Sequence, residues 1–242
     1  MVENETNAQR FLTAFADIEE ILARQQGRRD DRNDWAPFSD LVSNSDTLLL
    51  SQKDQLRAFA KLRNAISHKG YLNGAPIADP REDTVDAITK LHRHLERPPL
   101  LIDALRDYGQ PRIFLPDDDI GEFLELVTIM DFSQAPVRAD SGHRLITTNA
   151  VARWFASNLI EHGGVVESTP IEKVLAFAET GDRVLGVIPT TTTVQAINLL
   201  SGQAEAGLEP PAALLLLGKV GQSPQRICSR ADLAVLYAQM QA

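Results

Sequence analysis

Gly186-Val187-Ile188-Pro189, the threonine run Thr190 to Thr193, and then Val194, Ile197 and Leu200 at helical spacing form a stretch that the chain has already written once. The earlier version is Ile113-Phe114-Leu115-Pro116, the acidic run Asp117-Asp118-Asp119, and Ile120, Phe123, Leu124 and Val127. Both continue in the same order. The first goes on through Ala135-Pro136-Val137, a turn at Ser141-Gly142, Leu145-Ile146-Thr147 and a helix carrying Val151, Trp154 and Phe155. The second goes on through Pro211 to Leu216, a turn at Gly221, Arg226-Ile227-Cys228-Ser229 and a helix carrying Leu233 and Leu236. From Pro116 to Pro189 the offset is 73, and from Thr147 to Ser229 it is 82. An internal duplication explains both, with nine extra residues in the Gly- and Glu-rich loop 201–210. Each copy reads strand–helix–strand–strand–helix. One copy alone leaves much of a sheet face bare, so the two are expected to pack together.

Residues 7–97 have a different texture. Phe11, Leu12, Phe15, Ile18, Ile21 and Leu22 form an amphipathic stripe over Ala8 to Arg24. Gly27 to Asp34 is dense in mixed charge and reads as a loop, and a short helix is expected from Pro37 to Ser43. Ser51 is placed to cap a helix that stops at Gly70, and Leu72 to Pro80 reads as a loop. Another helix is expected over Asp83 to Leu95. The fold class is therefore α+β. An all-helical bundle (1–97) leads through a linker or connector helix (98–111, with Pro98-Pro99 at the junction) into the duplicated part (112–242). Within that part repeat one is 112–160 and repeat two 184–240.

The duplicated part resembles a tandem pair of CBS domains, the Bateman module. The likeness is carried by Ser133-Gln134-Ala135-Pro136-Val137 and Leu145-Ile146-Thr147 in repeat one. In repeat two it is carried by Ile188-Pro189 with the threonine run, and by Ser229-Arg230-Ala231-Asp232. Thr169-Pro170-Ile171-Glu172-Lys173-Val174-Leu175 looks like the stretch between repeats. The resemblance covers roughly residues 110 to 240. It implies an adenine nucleotide (AMP, ADP or ATP) as regulatory ligand, in a cleft of Ile188, Thr190, Pro211, Ile227, Ser229, Arg230 and Asp232. A Ser-x-x-Asp turn at a helix start can set a carboxylate on the ribose hydroxyls, while the exposed N–H groups meet phosphate. Repeat one reads Thr147-Thr148-Asn149-Ala150, with alanine where that carboxylate would stand. Capping of the following helix is the other reading of Ser229 and Asp232.

In the helical part, Arg63 falls in the middle of the apolar face formed by Leu56, Phe59, Leu62 and Ile66. Asn64 and His68, four apart, share the adjacent flank. The stretch Arg63-Asn64-Ala65-Ile66-Ser67-His68 resembles the signature of HEPN domains. That resemblance implies a metal-independent ribonuclease site shared across a dimer. His68 would be general acid/base, Arg63 would neutralise phosphorane-like charge, and Asn64 would orient His68 or the phosphate. Lys69 and the cluster Arg28, Arg29 and Arg32 could steer RNA in. The alternative is a non-catalytic bundle that mediates dimerisation or partner binding, with Arg63 paired to Asp17 or Glu20. The remaining histidines offer little: His92 and His94 face different ways on a helix, and His143 and His162 fall in expected loops.

The chain has 242 residues, 24 basic and 33 acidic, and a formal charge of −9. Up to Arg97 there are 14 basic and 16 acidic residues; beyond it there are 10 and 17. That balance argues against tight, sequence-blind nucleic-acid binding, since such proteins present a basic surface. One cysteine, Cys228, excludes an intrachain disulfide and a cysteine-rich zinc module, and no metal-ligand spacing is present. Met1-Val2-Glu3-Asn4-Glu5 is the reverse of a secretory signal, and no apolar run is long enough for a bilayer. The expectation is a cytoplasmic homodimer, without membrane contact, that binds an adenine nucleotide and, as a ribonuclease, RNA.

Overall fold

The structure, a computed structural model, describes residues 5–27, 37–67, 78–130, 132–162, 168–203, 209–218 and 223–241. Two units divide the chain, Met1–Pro99 and Leu100–Ala242.

Four helices are described in the first unit: α1 (Asn7–Gln25), α2 (Phe38–Asn44), α3 (Leu50–Ser67) and α4 (Glu82–Glu96). A capping box opens α1, where the Thr6 side chain accepts from the Gln9 N–H at 3.2 Å and Gln9 Oε1 accepts from the Thr6 N–H at 2.8 Å. Phe11, Phe15, Ile18 and Leu22 are buried along its inner face, against Val85, Ile88, Leu91 and Leu95 of α4 and Leu56, Phe59 and Ile66 of α3. Phe11 meets Phe59 edge-to-face at 5.6 Å. The segment before α4 is tied to the start of α1, since Asp79 Oδ1 accepts from the Ala8 N–H (3.1 Å) and Arg10 pairs with Glu82 (2.8 Å). Ser51 does not cap α3, contrary to the sequence expectation. The helix begins one residue earlier, where buried Leu48 and Leu49 anchor its entry and Gln52 Oε1 accepts from the Leu49 N–H at 2.9 Å.

The second unit contains α5 (Leu101–Ala104), α6 (Ile120–Met130), β1 (Gln134–Arg138), β2 (His143–Thr147), α7 (Thr148–His162) and α8 (Ile171–Leu175). Then come β3 (Val184–Val187), α9 (Thr193–Leu200), β4 (Ala213–Leu216), β5 (Arg226–Ser229) and α10 (Leu233–Gln241). His143 and His162 thus close the ends of a strand and a helix instead of lying in loops.

The same topology occurs twice. In repeat two, β3 runs parallel to β4, with Val187 opposite Leu216, and β4 runs antiparallel to β5, with Ala213 opposite Ser229. In repeat one, Phe114 is bridged in parallel to Val137 of β1, and β1 runs antiparallel to β2, with Gln134 opposite Thr147. The strand expected at 113–116 is therefore a single bridge. Its ladder stops because Asp118 Oδ2 takes the Leu115 N–H (2.7 Å) and Pro116 has none to offer. The register also divides the nine extra residues of repeat two. Phe114 and Val187 are 73 apart, Val137 and Leu216 are 79 apart, and Thr147 and Ser229 are 82 apart. Six therefore enter before β4, and three enter between β4 and β5, not all nine in the loop 201–210. All four residues of β4 are buried, as a central strand requires, and β2 lies against β3 where the two sheets meet.

Each repeat is completed by the segment that precedes the other. Leu100 bridges Thr192 at the start of α9, and the Leu101 N–H donates to Thr191 O at 2.9 Å. Reciprocally, Pro170 bridges Asp119 at the start of α6, the Ile120 N–H donates to Thr169 O at 2.9 Å, and the Ile171 N–H donates to Asp118 O at 2.9 Å. Thr192 and Asp119 occupy equivalent positions. Thr192 caps α9 in a box with Gln195, while Asp119 Oδ1 accepts from the Gly121 N–H at 2.7 Å. A Cβ on Gly121 would lie 2.8 Å from that oxygen, so a larger residue there would push the Asp119 carboxylate aside.

Asp119 Oδ2 accepts from the Ser168 hydroxyl and the Thr169 N–H (3.1 Å). These bonds, led by the Ser168 hydroxyl, hold its carboxyl below the usual carboxylate range. A lowered folded pKa contributes stability that is present above the unfolded value, near 4, and is lost as the pH falls through the folded one. Asp119→Asn should therefore lower the melting temperature of the second unit at pH 7 and flatten its decline between pH 5 and pH 3. Thermal melts across that range check both.

Candidate functional site

Antiparallel pairing carries β5 to Ser229 beside the first residue of β4, and the chain then turns through a single 3₁₀ turn, Arg230–Asp232, into α10. Ser229 Oγ accepts from the Ala231 N–H at 3.2 Å. Asp232 reaches back, its Oδ2 accepting from the Ser229 N–H (2.6 Å) and the Ser229 hydroxyl (3.0 Å). The capping reading of this pair is thus present in full, and Oδ2 has two donors.

The other oxygen of Asp232 faces elsewhere. Oδ1 accepts from the Tyr108 hydroxyl at 2.9 Å, across 124 positions of sequence. Burial, followed by the bond to Asp232 and its negative charge, pushes the Tyr108 phenol up to about 12, so at neutral pH it is a proton donor only in the hydrogen-bonding sense. The Cys228 thiol, buried next to the turn, is likewise pushed up to about 12, first by burial and then by Asp232. It is no nucleophile at neutral pH.

Arg230 fastens the neighbouring loop, donating from Nε to Pro211 O (3.2 Å) and from Nη2 to Pro210 O (2.6 Å). Pro211, Ser229, Arg230 and Asp232 are therefore gathered at one end of β4, and Ile227 leads into the group opposite Leu215. Ile188 and Thr190 are not gathered there. They follow Val187, which pairs with Leu216 at the other end of the strand, and both are exposed. Repeat one builds the equivalent turn without a carboxylate. Thr147 Oγ1 accepts from the Ala150 N–H at 3.1 Å, and the Ala150 methyl is fully buried.

Tyr108 escaped the sequence reading because a hydroxyl so distant in sequence leaves no local periodicity or motif. The nearest signal was that Leu100 to Tyr108 ends in an amphipathic aromatic just before a Gly-Gln-Pro loop.

In the helical unit, Arg63 is half-buried with its guanidinium over the Phe15 ring, 5.8 Å from the centroid, and Nη1 donates to Asn64 Oδ1 at 3.2 Å. The pairing with Asp17 or Glu20 is not observed. Asp17 lies 3.8 Å from His92 and Glu20 pairs with Arg24 at 3.7 Å, because Phe15 draws the guanidinium along the core edge instead. His68, Lys69, Arg28, Arg29 and Arg32 lie outside the described residues. Among the described residues no group of three or more His, Cys, Asp or Glu could hold a metal ion, and no helix is long and apolar enough to cross a membrane.

No protein-family profile matches the chain, and no curated protein matches it. Solved structures of CBS-domain proteins are similar at low identity. CBSX2 in complex with AMP is 15% identical over 56% of this chain and 96% of its own, with a TM-score of 0.38. The CBS-domain containing protein ATU1752 from Agrobacterium tumefaciens is 15% identical over 58% and 96%, with a TM-score of 0.40. The CBS domain NE2398 is 14% identical over 59% and 98%, with a TM-score of 0.41.

An exposed cation–π contact contributes about 0.5–1 kcal/mol. Arg63→Ala should lower the stability of the helical unit by about that amount, with Arg63→Lys recovering part of it; chemical denaturation followed by far-UV circular dichroism checks both.

Proposed function

We propose that the duplicated unit senses an adenine nucleotide at a single position, on repeat two, and that the chain works as a homodimeric sensor or scaffold. The observation that carries this reading is the contrast between equivalent turns. Repeat two sets the Asp232 carboxylate at a helix start, whereas repeat one fills the same place with the buried Ala150 methyl. A carboxylate accepts from vicinal ribose hydroxyls, and the N–H groups opening α10 favour a phosphate. CBSX2, among the similar structures, was crystallised with AMP.

Self-association is supported by an apolar face that α7 leaves uncovered. Ala152, Phe155, Ala156, Leu159 and Ile160 recur at helical spacing and are all exposed, Ile160 at 85%. The equivalent positions of α10 repeat the pattern with exposed Ala234, Tyr237 and Ala238. An aromatic flanked by alanines offers a knob and a shallow hole on each repeat, so a second copy can meet it with its own version of the same surface. The ribonuclease reading needs His68, and the described part of its motif, Arg63 on Phe15 with Asn64 beside it, supports packing.

Thermal melts with AMP, ADP, ATP and S-adenosylmethionine test the sensor. A ligand at about one hundred times its Kd stabilises by about 2.7 kcal/mol, a rise of several degrees for a unit of this size. Asp232→Ala should abolish that ligand-induced rise, whatever it does to the unliganded melting point. No rise with any of the four in the wild type rejects the proposal. For self-association, Phe155→Glu should convert a dimer to a monomer in light scattering after gel filtration; an unchanged mass rejects α7 as the dimer face.

A further inference from the structure

Asp232 lies where two chain segments meet, its own turn from Ser229 and the segment that ends at Tyr108. Its Oδ2 is used by the Ser229 N–H and hydroxyl, which leaves Oδ1 as the oxygen an incoming group can reach. That oxygen is held by the Tyr108 hydroxyl at 2.9 Å. Tyr108 belongs to the segment Leu100–Tyr108, which is also held by the Leu100–Thr192 bridge, by Leu101 N–H to Thr191 O (2.9 Å), by Arg226 Nε to Leu105 O (3.0 Å) and by the fully buried Leu101 and Leu105. Beyond Leu105, the phenol–carboxylate bond ties the end of the segment to Asp232.

We infer that Tyr108 is an internal competitor for the ligand: its hydroxyl stands on Asp232 Oδ1 where a ribose hydroxyl would bind, and ligand binding displaces it and loosens the segment that carries it. The inference rests on the nucleotide reading of Asp232 given above. A neutral phenol donating to a carboxylate mimics an alcohol donating to the same carboxylate, so the two are alternatives of like chemistry. The apparent affinity is then the intrinsic one reduced by the fraction of molecules in which Tyr108 has left Asp232. By linkage, a ligand that takes Oδ1 must weaken the hold on residues 105–108 by the same factor.

Calorimetric titration of AMP into the wild type, Tyr108→Phe and Asp232→Asn tests this on the full chain. Hydrogen–deuterium exchange of residues 100–109 is followed with and without AMP. Tyr108→Phe removes one oxygen and keeps the ring, so packing is retained. The expected result is binding on the order of tenfold tighter in Tyr108→Phe. Binding is lost in Asp232→Asn, and residues 105–108 exchange faster when AMP is added to the wild type. Equal or weaker binding by Tyr108→Phe, with Asp232→Asn inactive, overturns the competition and leaves the nucleotide site standing. Undiminished binding by Asp232→Asn overturns the site and the competition together, as does the absence of binding by both wild type and Tyr108→Phe. Tighter binding with unchanged exchange overturns the loosening.

Discussion

Backbone hydrogen bonds that each repeat borrows from outside itself hold the duplicated unit together. A helix leaves its first N–H groups without partners inside the helix. In α6 the first of them, on Ile120, is met by Thr169 O, which belongs to the segment leading into repeat two. At the start of α9 the bond runs the other way, the Leu101 N–H donating to Thr191 O while Leu100 bridges Thr192, both from the segment that leads into repeat one. Each repeat therefore shares backbone hydrogen bonds at its first helix with the segment before the other. Pulling the two apart would expose not only the apolar faces of both sheets but also these polar groups, which adds their desolvation penalty to the cost of separation. The crossing ties the two repeats to each other at the turns where Asp119 and Thr192, at equivalent places, both use side-chain oxygens to organise the chain.

Once that frame is set, duplicated positions are free to diverge, and one such divergence carries the proposed site. Ala150 and Asp232 occupy one place in two copies of the same turn. The alanine is fully buried in the core of repeat one beside Phe123 and Trp154. A carboxylate cannot be buried there without partners; repeat two supplies two, the Ser229 N–H and the Ser229 hydroxyl, and the connector supplies a third, the Tyr108 hydroxyl. Capping and ligand binding are not rival explanations of Asp232. The cap uses one oxygen and fixes the direction of the other.

The duplication itself was legible because a strand pair and its following helix leave a patterned trace. Pro116 and Thr147 in the first copy, and Pro189 and Ser229 in the second, keep their order although the second copy is nine residues longer between them. The crossing was not legible, since Leu100–Thr192 and Asp119–Pro170 join residues with no periodic relation. Nor was the split of the nine inserted residues, which only the register of β4 against β5 reveals. Ser51 misled because a good capping residue near a helix start is outweighed when two buried leucines decide where the chain enters. Arg63 was placed on the correct face by periodicity, but its partner was misjudged: a long apolar stem and a planar head favour an aromatic ring at the core edge as readily as a carboxylate. In repeat two, the resemblance points to Ser229 and Asp232, which the fold brings together with Pro211 and Arg230 at one end of β4. It also points to Ile188 and Thr190, which strand direction carries to the opposite end of the sheet.

The charge balance bears on what kind of recognition such a site can achieve. Beyond Arg97 acidic residues outnumber basic ones by 17 to 10, so the general field repels an anion. Close to the site, Arg230 spends its Nε and Nη2 on the carbonyls of Pro211 and Pro210. The Arg230 guanidinium keeps its charge, and together with the N–H groups at the start of α10 it offers a short-range attraction that competes with the long-range repulsion. The carboxylate of Asp232 faces no such conflict, because an alcohol is neutral and gains fully from donating to it. Under the proposed reading, discrimination therefore belongs to the hydroxyl pair of the ligand more than to its phosphate. A tyrosine hydroxyl is then an effective rival in this place, since it presents the same neutral donor without bringing in another negative charge.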